Sequence, residues 1–261
     1  MKTLKLFAFS ACAAFLISSC SQGPQSDEAE VSAAEEVEEV SASAAEYSLD
    51  TNQSELMWNG FKPTGQHNGT IAIQGGSLAV EGDKIVGGSF TMDMSNIDVQ
   101  DLEGEDRDKL TGHLMSEDFF AVEQYPTAEF VITEVSPYGS GATASTEEKG
   151  MAVKVNNEEI SEYKLESPTH SITGNLTMRD TTLSITFPAK VSMSGDQVTA
   201  QSKFNIDRTK WNVSYNDEGD PVRVAKDKFI YNTVNIGFDI VATKGGQPNA
   251  QNDSKTVGED S

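Results

Sequence analysis

The strongest constraint on this chain is a two-residue rhythm. Leu183, Ile185, Phe187, Ala189, Val191 and Met193 recur at every second position, with Pro188 the one irregularity among them. Val198, Ala200, Phe204 and Ile206 continue the rhythm after a Ser194-Gly195-Asp196 turn, and Val234, Ile236, Phe238, Ile240 and Ala242 form a last long run. Ile172, Gly174, Leu176 and Met178 make another, with shorter runs at Leu56 and Trp58, Ile71 and Ile73, Leu78 and Val80, and Phe90, Met92 and Met94. Successive side chains of an extended chain point to opposite faces, so each run reads as a strand with one dry and one wet face. Turns such as Gln74-Gly75-Gly76 and Glu81-Gly82-Asp83 separate them. The pattern predicts about eight to ten strands with no βαβ alternation and no fixed repeat.

Such strands must bury their dry faces against one another. An up-and-down antiparallel barrel or a strongly curved sheet does this, and the fold class is read as all-β. A barrel of about eight strands either fills its interior or leaves room for one small ligand. The inward candidates Gly174, Ala189, Ala200 and Ala242 are thin and favour space. A filled β-sandwich core remains the alternative on composition alone.

One stretch breaks the rhythm, Gly112 to Phe130. Ser116 is expected to cap a short helical turn in which Glu117 and Asp118 suit the N-terminus, and Phe119, Phe120 and Val122 give it an apolar side. Pro126 stops any helix and pushes Tyr125 into an extended conformation, after which Ala128, Phe130 and Ile132 resume the alternation. The insertion reads as a plug between two sets of strands.

Charge and cysteine usage narrow the function. A formal net charge of -22 over 261 residues argues against nucleic acid, whose phosphates need clustered Lys and Arg. Both cysteines, Cys12 and Cys20, lie at the N-terminus, which leaves the folded part no disulfide, zinc thiolate or cysteine nucleophile. Lys2 and Lys5 followed by the apolar stretch Leu6 to Ile17 read as a signal peptide over residues 1–19. Leu16-Ile17-Ser18-Ser19-Cys20 resembles a bacterial lipobox, making Cys20 the expected lipidation site, with an ordinary cleavage site as the alternative. Acyl chains there would anchor the protein to a membrane. Ser21 resembles an outer-membrane sorting signal, so the expected location is the bacterial cell envelope, as an outer-membrane lipoprotein facing the periplasm or the cell surface. Residues 20–46, acidic and without Lys or Arg, read as a solvated tether. Residues 47–244 are the expected domain, and 245–261 a polar, disordered tail.

Four segments then carry a resemblance. His113-Leu114-Met115-Ser116-Glu117-Asp118-Phe119-Phe120-Ala121-Val122-Glu123-Gln124-Tyr125-Pro126, Gly174-Asn175-Leu176-Thr177-Met178-Arg179-Asp180, Phe204-Asn205-Ile206-Asp207-Arg208-Thr209-Lys210-Trp211, and Tyr47-Ser48-Leu49-Asp50 with Ser54 stand in order over nearly all of residues 47–244. Together they resemble the YceI-like family. The resemblance implies an extended lipocalin-like antiparallel β-barrel with a short helical insertion and a long apolar pocket for a polyisoprenoid or similar lipid. Three features depart from the family pattern: Asp180 where a Gly is usual, the stretch Trp58 to His67, and an insertion from Gly139 to Glu166.

A lipid pocket needs contiguous apolar surface, and the candidate lining is Trp58, Phe90, Phe130, Leu176, Ile185, Phe187, Phe204 and Phe238. Core packing is the competing role for each. Phe119 and Phe120 read as a staple for the plug, with closure of one end of the barrel as the alternative. No catalytic residue, metal ligand or cofactor is expected, beyond a bound isoprenoid lipid or quinone as ligand. His67, His113 and His170 fall in no metal spacing, and no G-x-S-x-G elbow occurs. The acid-dense Asp101 to Asp108 reads as a solvated loop lacking the EF-hand order, with a calcium site or a metal-assisted enzyme as the weaker reading. Arg179 and Arg208 are expected at strand ends, in surface ion pairs with Asp180 and Asp207 by default, with contact to a ligand headgroup as the alternative. The sequence leaves room for a homodimer, and for a filled-core barrel serving as a structural or stress-related interaction module.

Overall fold

The computed structural model describes residues 24–139, 162–219, 222 and 228–245. The signal peptide, Cys20, most of the Gly139–Glu166 insertion and the tail beyond Gly245 lie outside the described residues. Ten strands form one sheet: β1 (Glu30–Ala33), β2 (Ala45–Leu49), β3 (Glu55–Lys62), β4 (Gly65–Glu81), β5 (Lys84–Val99), β6 (Thr127–Pro137), β7 (His170–Met178), β8 (Thr181–Ser194), β9 (Gln197–Asp207) and β10 (Thr233–Lys244). One helix, α1 (Gly104–Met115), and a 3-10 turn at Arg208–Trp211 complete the described elements.

The sheet closes on itself as an antiparallel barrel. Strands β4 to β10 pair each with the next, and β10 returns to β4 through β2 and β3. Those two short strands share one stave. β10 bonds β3 through Val234–Asp239 and β2 through Ala242–Lys244, while β4 bonds β3 through Gly65–Ile71 and β2 through Ser77–Val80. Ten strands, less β1 and with β2 and β3 counted as one, make a ring of eight staves. The long β4 and β5 bend around it at register shifts near Ile71, Ile73 and Ala79, since an extra residue on one strand increases local bend and twist.

The ring has one weak seam, and Pro188 explains it. β8 pairs β9 only through Lys190–Ser194 against Gln197–Gln201. Proline has no N–H to give the ladder, so pairing past it needs another partner. That partner comes from the acidic segment expected to be a free tether. β1 pairs Glu30–Ala33 antiparallel with Leu183–Thr186 of β8, while the Asn205 amide donates to Asp27 O (2.8 Å) and the Ala29 amide to Asn205 O (2.9 Å) on β9. Ala29 and Val31 pack on the core beneath.

The segment then crosses the outside of the barrel as a belt. The Asn175 side chain on β7 accepts from the Glu35 amide (2.9 Å) and donates to Glu35 O (2.8 Å). Thr133 on β6 donates to the Glu35 carboxylate at 2.9 Å, and Ser43 donates to Glu81 on β4 at 3.2 Å. Between them, Val40 lies over Gly87 of β5, where an added Cβ would come within 2.7 Å of its methyl. Asn205 fixes the start, donating to Pro24 O and to the Glu28 carboxylate, both at 2.9 Å. Residues 24–46 are thus held on the barrel, which corrects the solvated tether expected over 20–46 for that stretch, residues 20–23 lying outside the described residues. Dense like charge forbids collapse on itself but not hydrogen bonding to a strand edge.

The helical insertion also differs from expectation. α1 ends where a helix was predicted to begin: Ser116 Oγ donates back to His113 O (2.7 Å), and irregular turns follow through Gln124. The acid-dense stretch read as a loop supplies the first turn, where Glu105 and Asp106 face the positive end of the helix dipole.

Asn175→Ala and Asn205→Ala should each lower the unfolding free energy by about 0.5–1.5 kcal/mol, because each removes a side chain that hydrogen-bonds the half-exposed belt to the barrel. Urea denaturation measures this, and a loss below about 0.5 kcal/mol would mean that the belt is not held by these residues.

Candidate functional site

The inward faces of the eight staves enclose an elongated cavity of about 820 Å³. At the end carrying the β4–β5 and β8–β9 turns, Tyr47, Val80, Ala189, Val198 and Ala242 pack against one another and fill the barrel. Of the four thin residues expected to open space, only Ala200 lines the cavity. Gly174 makes room for a ring instead, since a Cβ there would lie 2.5 Å from Phe130 Cζ.

All eight residues named as candidate lining lie on the cavity wall: Trp58, Phe90, Phe130, Leu176, Ile185, Phe187, Phe204 and Phe238. Four of them form one aromatic cluster. Phe187 stacks on Phe204 with ring centres 4.3 Å apart and planes 5° from parallel, Phe130 lies 5.6 Å from Phe187, and Phe238 meets both stacked rings edge-on. Parallel rings from neighbouring staves give a smooth wall with no hydrogen-bonding group. Ile71, Ile73, Leu78, Ile85, Ile132 and Ile240 extend that wall.

The opposite end is the mouth. It is bounded by the β3–β4 hairpin, by Leu110, His113 and Leu114 of α1, by Phe119 and Phe120, and by the segments around Tyr215 and Phe229. Phe119 lines the cavity and also staples the plug, its ring contacting His113 at 5.0 Å and Tyr215 at 5.4 Å. His113 Nε2 meets the Asp118 carboxylate at 3.2 Å, which ties the end of α1 to the turns after it.

Arg208 is the knot under this mouth, and its role corrects the expected surface ion pair. Only 4 % of it is exposed, and its guanidinium donates to the carbonyls of Val213 (2.5 Å), Tyr215 (3.1 Å), Ile230 (3.1 Å) and Tyr231 (3.2 Å), 6.0 Å from the Phe119 ring centre. Burial lowers its pKa against the opposing pull of Asp217, Asp207 and Glu218. Arginine titrates so high that it stays charged here. Asp207 instead accepts from the Thr209 amide and hydroxyl at the start of the 3-10 turn. Arg179 likewise holds carbonyls, of Phe119 (2.9 Å) and Asn212 (2.8 Å), while Asp180 takes hydrogen bonds from Asn212 and Thr181.

A polar relay missed in the sequence lies on the β3–β4 side. Lys62 Nζ meets His67 Nε2 at 2.8 Å, and His67 Nδ1 meets Asp101 Oδ2 at 2.8 Å. Asp101 Oδ1 accepts from the Asn68 amide at 3.1 Å. Burial would raise the Asp101 pKa, but the hydrogen bonds from His67 and Asn68 outweigh it and hold the carboxyl below its ordinary value. No group of three or more His, Cys, Asp or Glu that could hold a metal occurs among the described residues, Asp101 to Asp108 included.

A model of the YceI-like domain matches residues 47–242. The chain belongs to the YceI-like family. Its barrel is similar in fold to Burkholderia cenocepacia BcnA, at a TM-score of 0.54 and 18% identity, covering 75% of this chain and 99% of that one. A polyisoprenoid binding domain from Saccharophagus degradans, implicated in plant cell wall breakdown, is a more distant neighbour, at a TM-score of 0.48, 14% identity and coverage of 76% and 98%. The Campylobacter jejuni YCEI protein follows at a TM-score of 0.41, 13% identity and coverage of 66% and 82%. No curated protein matches the chain.

Arg208→Met should lower stability by at least about 3 kcal/mol, because four carbonyls lose their donor, and should raise hydrogen exchange across residues 213–216 and 228–231 first. The sign at Asp101 is also fixed. A depressed pKa contributes stability that is complete above the ordinary carboxylate range and lost as pH falls through the folded value. Asp101→Asn should therefore flatten the acid limb of a thermal-stability profile, and an unchanged limb would mean that the relay carries no such stability.

Proposed function

We propose that this protein is a lipid-anchored component of the bacterial envelope that holds a polyisoprenoid or quinone in its barrel, for sequestration or carriage and without transforming it. The cavity carries the reading: a closed, aromatic and aliphatic interior with polar side chains gathered at one end is matched by a ligand with a long apolar chain. Burying roughly 400 Å² of apolar ligand surface would contribute about 10 kcal/mol, offset by the cost of ordering the chain. That balance favours a branched, partly stiff chain over a freely jointed one. Membership of the YceI-like family supports the same ligand class. The filled-core interaction module is disfavoured by a cavity of about 820 Å³, within the range of small-molecule sites. The wall is built within one chain, so the reading needs no second copy.

The anchor rests on the sequence around Cys20. Acylated protein should fractionate with membranes, and Cys20→Ser should release it; release without substitution would remove the anchor from the proposal. The ligand is tested on the full chain carrying Cys20→Ser, so that no acyl chain contributes lipid. Native mass spectrometry with lipid extraction should find a stoichiometric prenyl species, and Leu176→Asp or Phe187→Asp should abolish its retention. An empty barrel that also refuses added quinones and polyprenols would end the carrier reading.

A further inference from the structure

The charge of the cavity mouth runs against the charge of the protein. The chain carries 41 Asp and Glu against 19 Lys and Arg, yet no carboxylate belongs to the described residues lining the cavity. The ionisable lining groups are Lys62, His67, His113, Arg208, Tyr215 and Lys228, all but the tyrosine cationic or basic. Arg208 is committed to four carbonyls, and His113 to Asp118. Lys62 and Lys228 are the cations left, with no carboxylate in ion-pair distance of either among the described residues.

Lys62 is more than a surface lysine, because the hairpin positions it. Along the inward face of β3 and β4 the pairs run Leu56 with Ile71, Trp58 with Gly69, Gly60 with His67, and Lys62 with Gly65. The wall therefore passes from aliphatic through aromatic to cationic in the direction of the mouth. Gly60, with no side chain, leaves space beside the imidazole. Asp101 accepts the His67 Nδ1 proton, which makes Nε2 the acceptor facing the Lys62 ammonium. One of the three ammonium donors is thus used to hold the head in place, and two remain. The Asp101 charge is separated from Lys62 by a neutral ring, so the cation is steered without being neutralised by contact.

We infer that the mouth is a seat for an anionic lipid head, in which Lys62, positioned by His67 and Asp101, and Lys228 bind a phosphate or carboxylate while the chain lies against the aromatic cluster. The inference rests on the carrier reading and specifies its ligand: a prenyl phosphate fits better than a quinone or a free prenol, whose heads bring no negative charge. Carboxylates surround the mouth as they do the rest of the protein, but among the described residues the groups that line the cavity itself bring only cationic and neutral side chains to such a head. Lys62 and Lys228 touch the head; His67 and Asp101 are positioning residues.

The test compares geranylgeranyl phosphate, geranylgeraniol and palmitate on the full chain carrying Cys20→Ser, by titration calorimetry at low and high salt. The phosphate should bind about tenfold tighter than the alcohol at low salt, as a charge-assisted contact allows, and the advantage should shrink as salt rises. Lys62→Met should erase the advantage, Lys62→Arg should keep it, and Asp101→Asn should reduce it while the fold, followed by thermal melting, persists. Palmitate bound with the same dependence on Lys62 would support a seat for anionic heads in general; palmitate excluded while the phosphate binds would support one confined to phosphates. Equal affinity for phosphate and alcohol, or a preference that survives Lys62→Met, overturns the inference and leaves the carrier reading standing. Failure of all three ligands to bind overturns both.

Discussion

Closing a sheet requires that both edges of every strand find hydrogen-bond partners, and in this protein that requirement is nearly violated at Pro188. The proline sits in a stave that the barrel cannot omit, and past it β8 and β9 no longer pair. The molecule meets the requirement with its own N-terminal segment, which bonds to both strands and places Ala29 and Val31 over the core. The interior depends on that repair. Phe187 and Phe204, the stacked pair at the centre of the cavity wall, stand on the two strands that the belt bridges. An open seam would bring water to the surface that the barrel exists to keep dry.

The two ends of the barrel then divide the work. One end is packed solid by Tyr47, Val198 and small alanines, which ties the staves together without depending on a ligand. The other end is held apart by α1 and by the carbonyl network of Arg208. A buried guanidinium suits that task because it can satisfy several carbonyls at once in a fixed plane. It gathers the segments around Tyr215 and Ile230 at the mouth. Rigidity at one end and an organised opening at the other let the cavity stay open without collapsing.

How much of this was legible depended on the range of the interaction. Alternation is local, so the strands and the inward set that includes Phe90, Phe204 and Phe238 could be read two residues at a time. The start of α1 could not. Its first turn is nearly all charged, no side chain caps it at Glu103, and little apolar periodicity marks it as a helix. Asn175 and Asn205 could only have been noticed as poorly suited to strands; what they clamp lies far off in the chain. The relay from Lys62 to Asp101 needs the hairpin register and a third residue from beyond β5. Arg208 was misread for the same reason, since acidic neighbours in sequence suggested an ion pair where folding supplied carbonyls.

The belt also changes how a lipid anchor would act. A solvated segment running from Cys20 to the barrel would be a leash, letting the domain drift several nanometres from the bilayer. With Pro24 already held by Asn205, the acylated form proposed above has only four residues of slack, about 14 Å at full extension. Asn205 lies two residues from the end of β9 that leads into the Arg208 knot. An acyl anchor at Cys20 would therefore hold the domain close to its point of attachment, near the end of the barrel that carries the Arg208 knot.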